Sequence, residues 1–342
     1  MKKFTIAGSR ILKTAVAIFL TAFICEFLNW PPVFAVITAI VTIEPTVSES
    51  IRKGIIRFPA SAIGSAFAVL SISLFGNSAL TYTLAGTLTI VTCSKLRLHA
   101  GLLVATITAV AMVEVIHDNY FLAFLIRLGT TTIGLLVSTA VNMFMLPPNY
   151  TRNIEQGIET IRKKVGQSIE CVFEEVLQYK KTGGSQSIRL LEELNQTIRK
   201  AEMFIQFQKE ESKYHPLVDS KKQEFLLAQE KLHLLRLIHY HLENLINTTM
   251  DTIPWSSKDK EQVFLAAKQL QYTLQHHENF NLTTHEEQIE KIATRLWQDN
   301  EDITKGGHNH STSFPPELII MYELISIYSL VERFYTERDH VL

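Results

Sequence analysis

Four charged side chains stand in otherwise apolar sequence, and they form two pairs of identical spacing: Glu44 with Arg57, and Glu114 with Arg127. In each pair the carboxylate precedes the guanidinium by thirteen residues, and the second pair lies seventy positions after the first. The chemistry open to such residues is charge pairing, proton exchange and anion recognition, because a charge held among apolar side chains must find a partner or a watery cavity. Arg57 and Arg127 are candidate anion sites, since a guanidinium donates two parallel hydrogen bonds to a carboxylate. Glu44 and Glu114 are candidates to hold the arginines when no anion is bound, or to carry a coupling proton. The surrounding residues repeat as well. Ile37-Thr38-Ala39-Ile40-Val41-Thr42-Ile43-Glu44 returns as Ile107-Thr108-Ala109-Val110-Ala111-Met112-Val113-Glu114, and Ile63-Gly64 returns as Ile133-Gly134, with no gap in the offset. An internal repeat is the first guide to such a fold.

The elements that must position these residues are apolar helices. Through Pro148 the chain carries 10 Lys+Arg against 5 Asp+Glu, and the remainder carries 23 against 29, so the net charge of −1 hides a +5 part and a −6 part. This division predicts a transmembrane domain over residues 1–148 and a charged, water-soluble α-helical domain over 149–342. Six apolar segments are predicted at Ile11–Leu28, Pro32–Glu49, Ile55–Phe75, Ala79–Ser94, Leu98–Ile116 and Tyr120–Leu146. Most approach the ~20 residues a helix needs to cross the hydrocarbon layer. The basic start resembles a signal peptide, but bulky Ile24 precedes Cys25 and the apolar run continues to Leu28, which predicts an uncleaved first helix. Lys and Arg mark the N-terminal tail, the turns at Arg52-Lys53 and Lys95–Arg97, and the stretch after Pro148, while the intervening turns have none. That alternation places both termini in the cytoplasm of a multi-pass cell-membrane protein. Two joined units of three spans then enter the membrane from opposite sides. The expected fold is all-α: a six-helix transmembrane domain built as a 3+3 inverted repeat, followed by a cytoplasmic helical bundle.

Pro45 is a candidate helix break. Only eleven residues separate Pro32 from Glu44, about 16 Å at the helical rise, so a full span brings Glu44 and Pro45 to or into the apolar layer. Two readings stand: an interrupted span whose freed backbone faces a cavity, or a simple cap at the membrane surface. Arg57 falls a few residues into the third segment, within snorkelling reach of the headgroups. Arg127 falls about 10 Å along the sixth, where an isolated charge calls for a partner or a cavity. Ala60, Gly64 and Ala68 in the third segment, and Gly134 and Ser138 in the sixth, form small-residue ridges that allow close helix packing. The threonines of the fourth segment, among them Thr81, Thr83 and Thr89, either line a polar path or bond to their own backbone.

After Pro147-Pro148 the pattern becomes amphipathic, with helices predicted near 149–181, 187–214, 220–249, 258–279, 284–299 and 317–338. Gly183-Gly184, Pro216, Pro254 and Pro315-Pro316 punctuate them, Thr283 with Glu286 has capping-box spacing, and Leu226, Leu227, Leu234, Leu235 and Leu237 are the expected seam. Cys25, Cys93 and Cys171 are isolated, which points away from a disulfide framework. His239 with His241, His276 with His277, and His308 with His310 lack the four-residue spacing of a helical two-histidine site, so no metal is expected. No phosphate-binding glycine loop or serine elbow is present, no cofactor is expected, and no basic face suggests nucleic acid.

The run Pro31-Pro32-Val33-Phe34-Ala35-Val36-Ile37-Thr38-Ala39, then Glu44-Pro45-Thr46-Val47, then Arg52-Lys53-Gly54 through Arg57 to Ile63-Gly64 resembles the first membrane repeat of the aromatic acid exporter family, related to fusaric acid resistance proteins. The whole plan resembles that family's single-repeat bacterial branch, with a C-terminal cytoplasmic helical domain. Relatives often carry Gly-Thr shortly after the third-span Arg; here Pro59-Ala60 stands there, and Gly129-Thr130 follows Arg127 instead. The resemblance implies export of aromatic carboxylic acids or related organic anions, with Arg127 and Arg57 attracting the substrate carboxylate, and no enzymatic activity. Plant aluminium-activated malate transporters are similar in plan and imply an alternative, a passive anion channel-like dimer. A third reading is a non-transporting, membrane-anchored interaction or regulatory protein. The expected partners are the lipid bilayer, a small organic anion and a second copy of the chain, because six spans are few to enclose a path.

Overall fold

The computed structural model describes residues 6–115, 119–145, 147–177, 185–247, 255–276, 278, 280–305 and 315–336, and among these the regular elements are twelve α-helices with no strand. They fall into two compact units. The first comprises Met1–Asn149 together with Phe207–Pro216, and the second Tyr150–Gln206 together with Leu217–Leu342. The short piece 207–216 thus groups with the first unit rather than with the domain expected to follow residue 148.

The first unit contains α1 (Ile6–Phe27), α2 (Val33–Thr42), α3 (Val47–Phe75), α4 (Ala79–Lys95), α5 (His99–Val115) and α6 (Tyr120–Phe144). Helices α3 and α6 are long and apolar enough to cross a membrane, and α2 and α5 are shorter apolar helices. The second segment does not run on to Glu49 as expected. Helix α2 stops at Thr42, Ile43 is extended, and α3 starts at Val47 with the Thr46 hydroxyl accepting from Glu49 N–H at 3.1 Å. Pro45, which has no N–H to donate, sits in the gap. The N-caps Ser78 and Asn119 likewise take the Thr81 and Leu122 N–H groups and start α4 and α6.

Side-chain placement in this unit suits an apolar solvent. Phe19, Leu74, Leu103, Phe121, Leu136 and Phe144 point outward, whereas Thr38, Ser61, Ser65, Thr108, Thr131 and Ser138 are buried. Several of these hydroxyls turn back onto their own helix, as Thr38 does to Phe34 O at 2.9 Å, Ser65 to Ser61 O at 2.6 Å and Thr89 to Ala85 O at 2.6 Å. Helix α3 packs on α4, α5 and α6, while α6 packs on α1, α2 and α3; α1 also meets α2, and α4 meets α5. Glycine permits the closest approaches. Gly64 faces the Ala105 carbonyl and Gly134 the Ala35 carbonyl so tightly that neither site has room for a Cβ.

The second unit contains α7 (Thr151–Val176), most of α8 (Ser185–Glu211), α9 (Asp219–Asn247), α10 (Ser257–Gln275), α11 (Leu282–Lys305) and α12 (Pro316–Thr336). Helix α7 packs on α9 and α10, and α12 on α9, α10 and α11, around Ile161, Ile169, Leu234, Leu235, Ile238 and Tyr328. The seam of α9 is rotated from the expected one. Leu226 is exposed, and the face that ends in Leu234, Leu235 and Ile238 begins instead with Phe225 and Ala228, which keep the three- and four-residue spacing. Helix α11 starts two residues earlier than the Thr283–Glu286 spacing suggests, because Asn281 takes the Thr284 N–H at 3.2 Å. The capping box is found at Ser256 and Asp259 on α10. Gly183-Gly184, Pro254, His277, His308 and His310 lie outside the described residues.

Candidate functional site

Two charged centres lie inside the first unit. At the α2–α3 gap, Glu44 accepts from Arg57 Nη2 at 2.7 Å and from Lys53 Nζ at 3.0 Å. Arg57 also donates from Nη1 to Val41 O at 3.0 Å and from Nε to Ala100 O at 3.2 Å, so each of its three nitrogens has an acceptor. It is the eleventh residue of α3, not one of the first few of its span, and it is 6% exposed. The added turns come from residues 47–54, which α3 includes ahead of the predicted start at Ile55. The guanidinium is engaged by Glu44 and by carbonyls of two other helices.

The gap itself is pinned by a side chain that hydropathy alone did not single out. Asn142 of α6 donates to Glu44 O at 3.1 Å, Thr46 O at 3.3 Å and Ser50 Oγ at 2.9 Å, and Lys13 of α1 donates to its Oδ1 at 2.9 Å. Backbone groups freed by a helix break in apolar surroundings must be satisfied by such donors. Glu211, in the 207–216 piece, accepts from Val47 N–H at 3.1 Å, a carboxylate at a helix N-terminus where the macrodipole favours it.

Arg127 is placed differently. It is 2% exposed, donates from Nη2 to the Thr108 hydroxyl, and lies with its guanidinium carbon 4.4 Å from the centre of the Phe34 ring. Its Nε and Nη1 have no acceptor. Arg127 lines a cavity of about 310 Å³ whose other walls include Pro31, Phe34, Met112, Leu122 and Ile126. This is an apolar, aromatic-walled pocket with one buried cation, the usual composition of a small-ligand site. Trp30 fills the space beside Gly129, two residues further along α6.

The expected second pair is not formed. Glu114 is exposed and accepts from the Tyr82 hydroxyl, not from Arg127. Its neighbours Met112 and Val113 are the residues of that turn that face inward, and on a helix this turns position 114 outward. The structure therefore brings Glu44 to Arg57 and leaves Arg127 with a threonine in place of a carboxylate. Thr108 was already visible in the repeated string; its counterpart Thr38 bonds only to its own helix. Among the described residues no group of three or more His, Cys, Asp or Glu is placed to hold a metal.

Apolar helices that turn hydroxyls and buried charges inward define a helical membrane protein. A family model described as aromatic acid exporter family member 1 matches residues 5–145. Along almost its whole length the chain is similar to UPF0421 proteins: 45% identical to one from Oceanobacillus iheyensis over 99% of both chains, 41% identical to one from Bacillus cereus over 97% of this chain and 94% of the relative, and 36% identical to one from Staphylococcus saprophyticus over 96% of each. This chain belongs to the UPF0421 family of these relatives, and its residues 5–145 match the aromatic acid exporter model.

Proposed function

We propose that this protein exports aromatic carboxylic acids across the cell membrane, and that Arg127 receives the substrate carboxylate. The observation that carries this reading is the pair of unsatisfied Arg127 nitrogens in a cavity of about 310 Å³ with an aromatic wall. A single-ring acid suits a pocket at the small end of the ligand-site range, about 300–1,000 Å³. The carboxylate would take Nη1 or Nε, which lie on different edges of the guanidinium, and the ring would lie along Phe34, Met112 and Leu122. Each nitrogen of Arg57 is already engaged while Glu44 is ionised. Protonation of Glu44 would weaken that pair and release Arg57, which makes Glu44 the preferred candidate for a coupling carboxylate.

The 3+3 inverted repeat belongs to the same proposal, and the packing supports it. A shift of seventy residues exchanges α1 with α4, α2 with α5 and α3 with α6, and the pairs α3·α5, α3·α4 and α4·α5 then become α6·α2, α6·α1 and α1·α2, all of which are in contact. Gly64 against Ala105 becomes Gly134 against Ala35. Ser61 and Thr131, equivalent under the shift, have hydroxyls 3.2 Å apart, as residues on a pseudo-two-fold axis must. The two halves differ at the arginines, Arg57 being fully paired and Arg127 not, which is the asymmetry expected of one of two access states. A homodimer with cytoplasmic termini completes the proposal. The test is efflux of para-hydroxybenzoate from cells expressing wild type or Arg127→Gln at equal membrane abundance. Loss of efflux supports the assignment, and full efflux by the variant overturns it.

A further inference from the structure

The second unit holds another buried arginine with a spare donor. Arg162 of α7 is 3% exposed and grips Glu159, one turn earlier on the same helix, through Nε at 2.9 Å and Nη2 at 2.5 Å. Its Nη1 has no acceptor. Glu159 is half exposed, and across the helix seam the guanidinium meets the Tyr335 phenol, a neutral group that does not offset the cost of burying this cation.

Arg162 lines a cleft of about 620 Å³. Aromatic rings form one wall: Phe280 stacks on Tyr335 with centroids 4.5 Å apart, and Phe334 meets Tyr335 edge-on at 5.2 Å. Lys231 of α9 brings a second cation, its Nζ 5.2 Å from the centre of the Phe334 ring. The Tyr335 hydroxyl donates to Thr273 O at 3.0 Å beside the guanidinium; burial pushes that phenol up to about 12, against the pull of Arg162. Two exposed carboxylates, Glu155 and Glu224, complete the lining.

We propose that this cleft is a second binding site, for a monoanionic, hydroxylated aromatic acid. The carboxylate meets Arg162 Nη1 and the Lys231 ammonium, the ring lies against Phe334 and Phe280, and ring hydroxyls donate to Glu155 or Glu224. Those carboxylates repel a ligand of higher negative charge. The site shares its ligand class with the exporter reading but does not depend on the Arg127 assignment.

The test is calorimetric titration of the full chain in lipid nanodiscs with para-hydroxybenzoate. Wild type is expected to bind two equivalents and Arg127→Gln one. Adding Leu227→Trp, which fills the cleft and leaves its charges in place, removes that remaining equivalent. Adding Arg162→Gln instead weakens it by roughly tenfold or more, the scale of a charge-assisted hydrogen bond. If Arg127→Gln alone abolishes binding, the cleft is not a site and the membrane assignment stands. If wild type binds one equivalent that survives Arg127→Gln and is lost with Leu227→Trp, the cleft is a site and the membrane assignment fails. Binding unchanged by Leu227→Trp, or absent from wild type, overturns the proposal.

Discussion

Replacing each buried membrane arginine by methionine should have opposite consequences for stability and function. Arg127→Met removes two unpartnered donors, whose burial costs about 1–3 kcal/mol each. It forfeits one hydrogen bond to Thr108, about 1 kcal/mol, and a cation–π contact with Phe34 worth roughly 2 kcal/mol when desolvated. The net change should lie within about 2 kcal/mol of zero. Arg57→Met strands Glu44, which is 11% exposed, and breaking a buried pair costs about 3–5 kcal/mol; the remaining contact with Lys53 favours the lower end. At this chain length that corresponds to a fall in melting temperature of roughly 4–7 °C. Buried Cys25 and Cys93 supply the assay: a thiol-reactive dye reports unfolding of the purified protein on heating. Arg127→Met should melt within a few degrees of wild type and lose transport, whereas Arg57→Met should melt early. Equal destabilisation by both would refute the distinction between a paired and a ligand-ready arginine.

The remaining predictions concern packing, symmetry and pH. Gly64→Ala and Gly134→Ala should each destabilise by about 1–3 kcal/mol, since the facing group is a backbone carbonyl that cannot move aside; the same thiol melt checks this, and an unchanged melt would contradict the packing. Ser61→Cys with Thr131→Cys should form an intrachain disulfide on mild oxidation, seen as joined fragments after proteolysis between the two positions, because the present hydroxyls are 3.2 Å apart. His285, buried with Nε2 2.9 Å from Tyr328 O, has its pKa lowered from 6.5 chiefly by burial. Below the unfolded value the unfolded state binds the proton more readily, so stability should be full above pH 6.5 and fall as the pH drops through 6.5 towards the depressed folded value. Circular-dichroism melts should show a shallower acid-side loss in His285→Gln, and an identical pH profile would exclude this residue as the cause.

The helices were largely legible because apolar and amphipathic stretches announce themselves by length and period. The break at Pro45 was legible too, but the start of the next helix was not, because Val47 extends the apolar run of the second segment while Thr46, four residues after the end of α2, already caps α3. That error set Arg57 a few residues into its helix, whereas it is the eleventh residue of α3. The repeat marked four charged residues, of which only Glu44 and Arg57 pair with each other. Spacing made Glu114 the counterpart of Glu44, whereas helix phase turns it outward to Tyr82, and Thr108 from the same string takes the arginine instead. Asn142 carries no signal in the repeat, since position 72 is an isoleucine; its role depends on a gap that only the folded chain reveals. Arg162 is similarly silent in sequence, one arginine among many on amphipathic helices until burial and the rings of Phe280, Phe334 and Tyr335 set it apart.

The central claim is that Arg127 holds the carboxylate of a transported aromatic acid. Counterflow of radiolabelled para-hydroxybenzoate into proteoliposomes tests it without contributions from other cellular transporters. Wild type should exchange label against unlabelled acid inside, and Arg127→Gln, reconstituted to the same amount with the same melting temperature, should lose at least roughly tenfold of that rate, the scale of one charge-assisted hydrogen bond. Exchange by the variant at the wild-type rate would contradict the account.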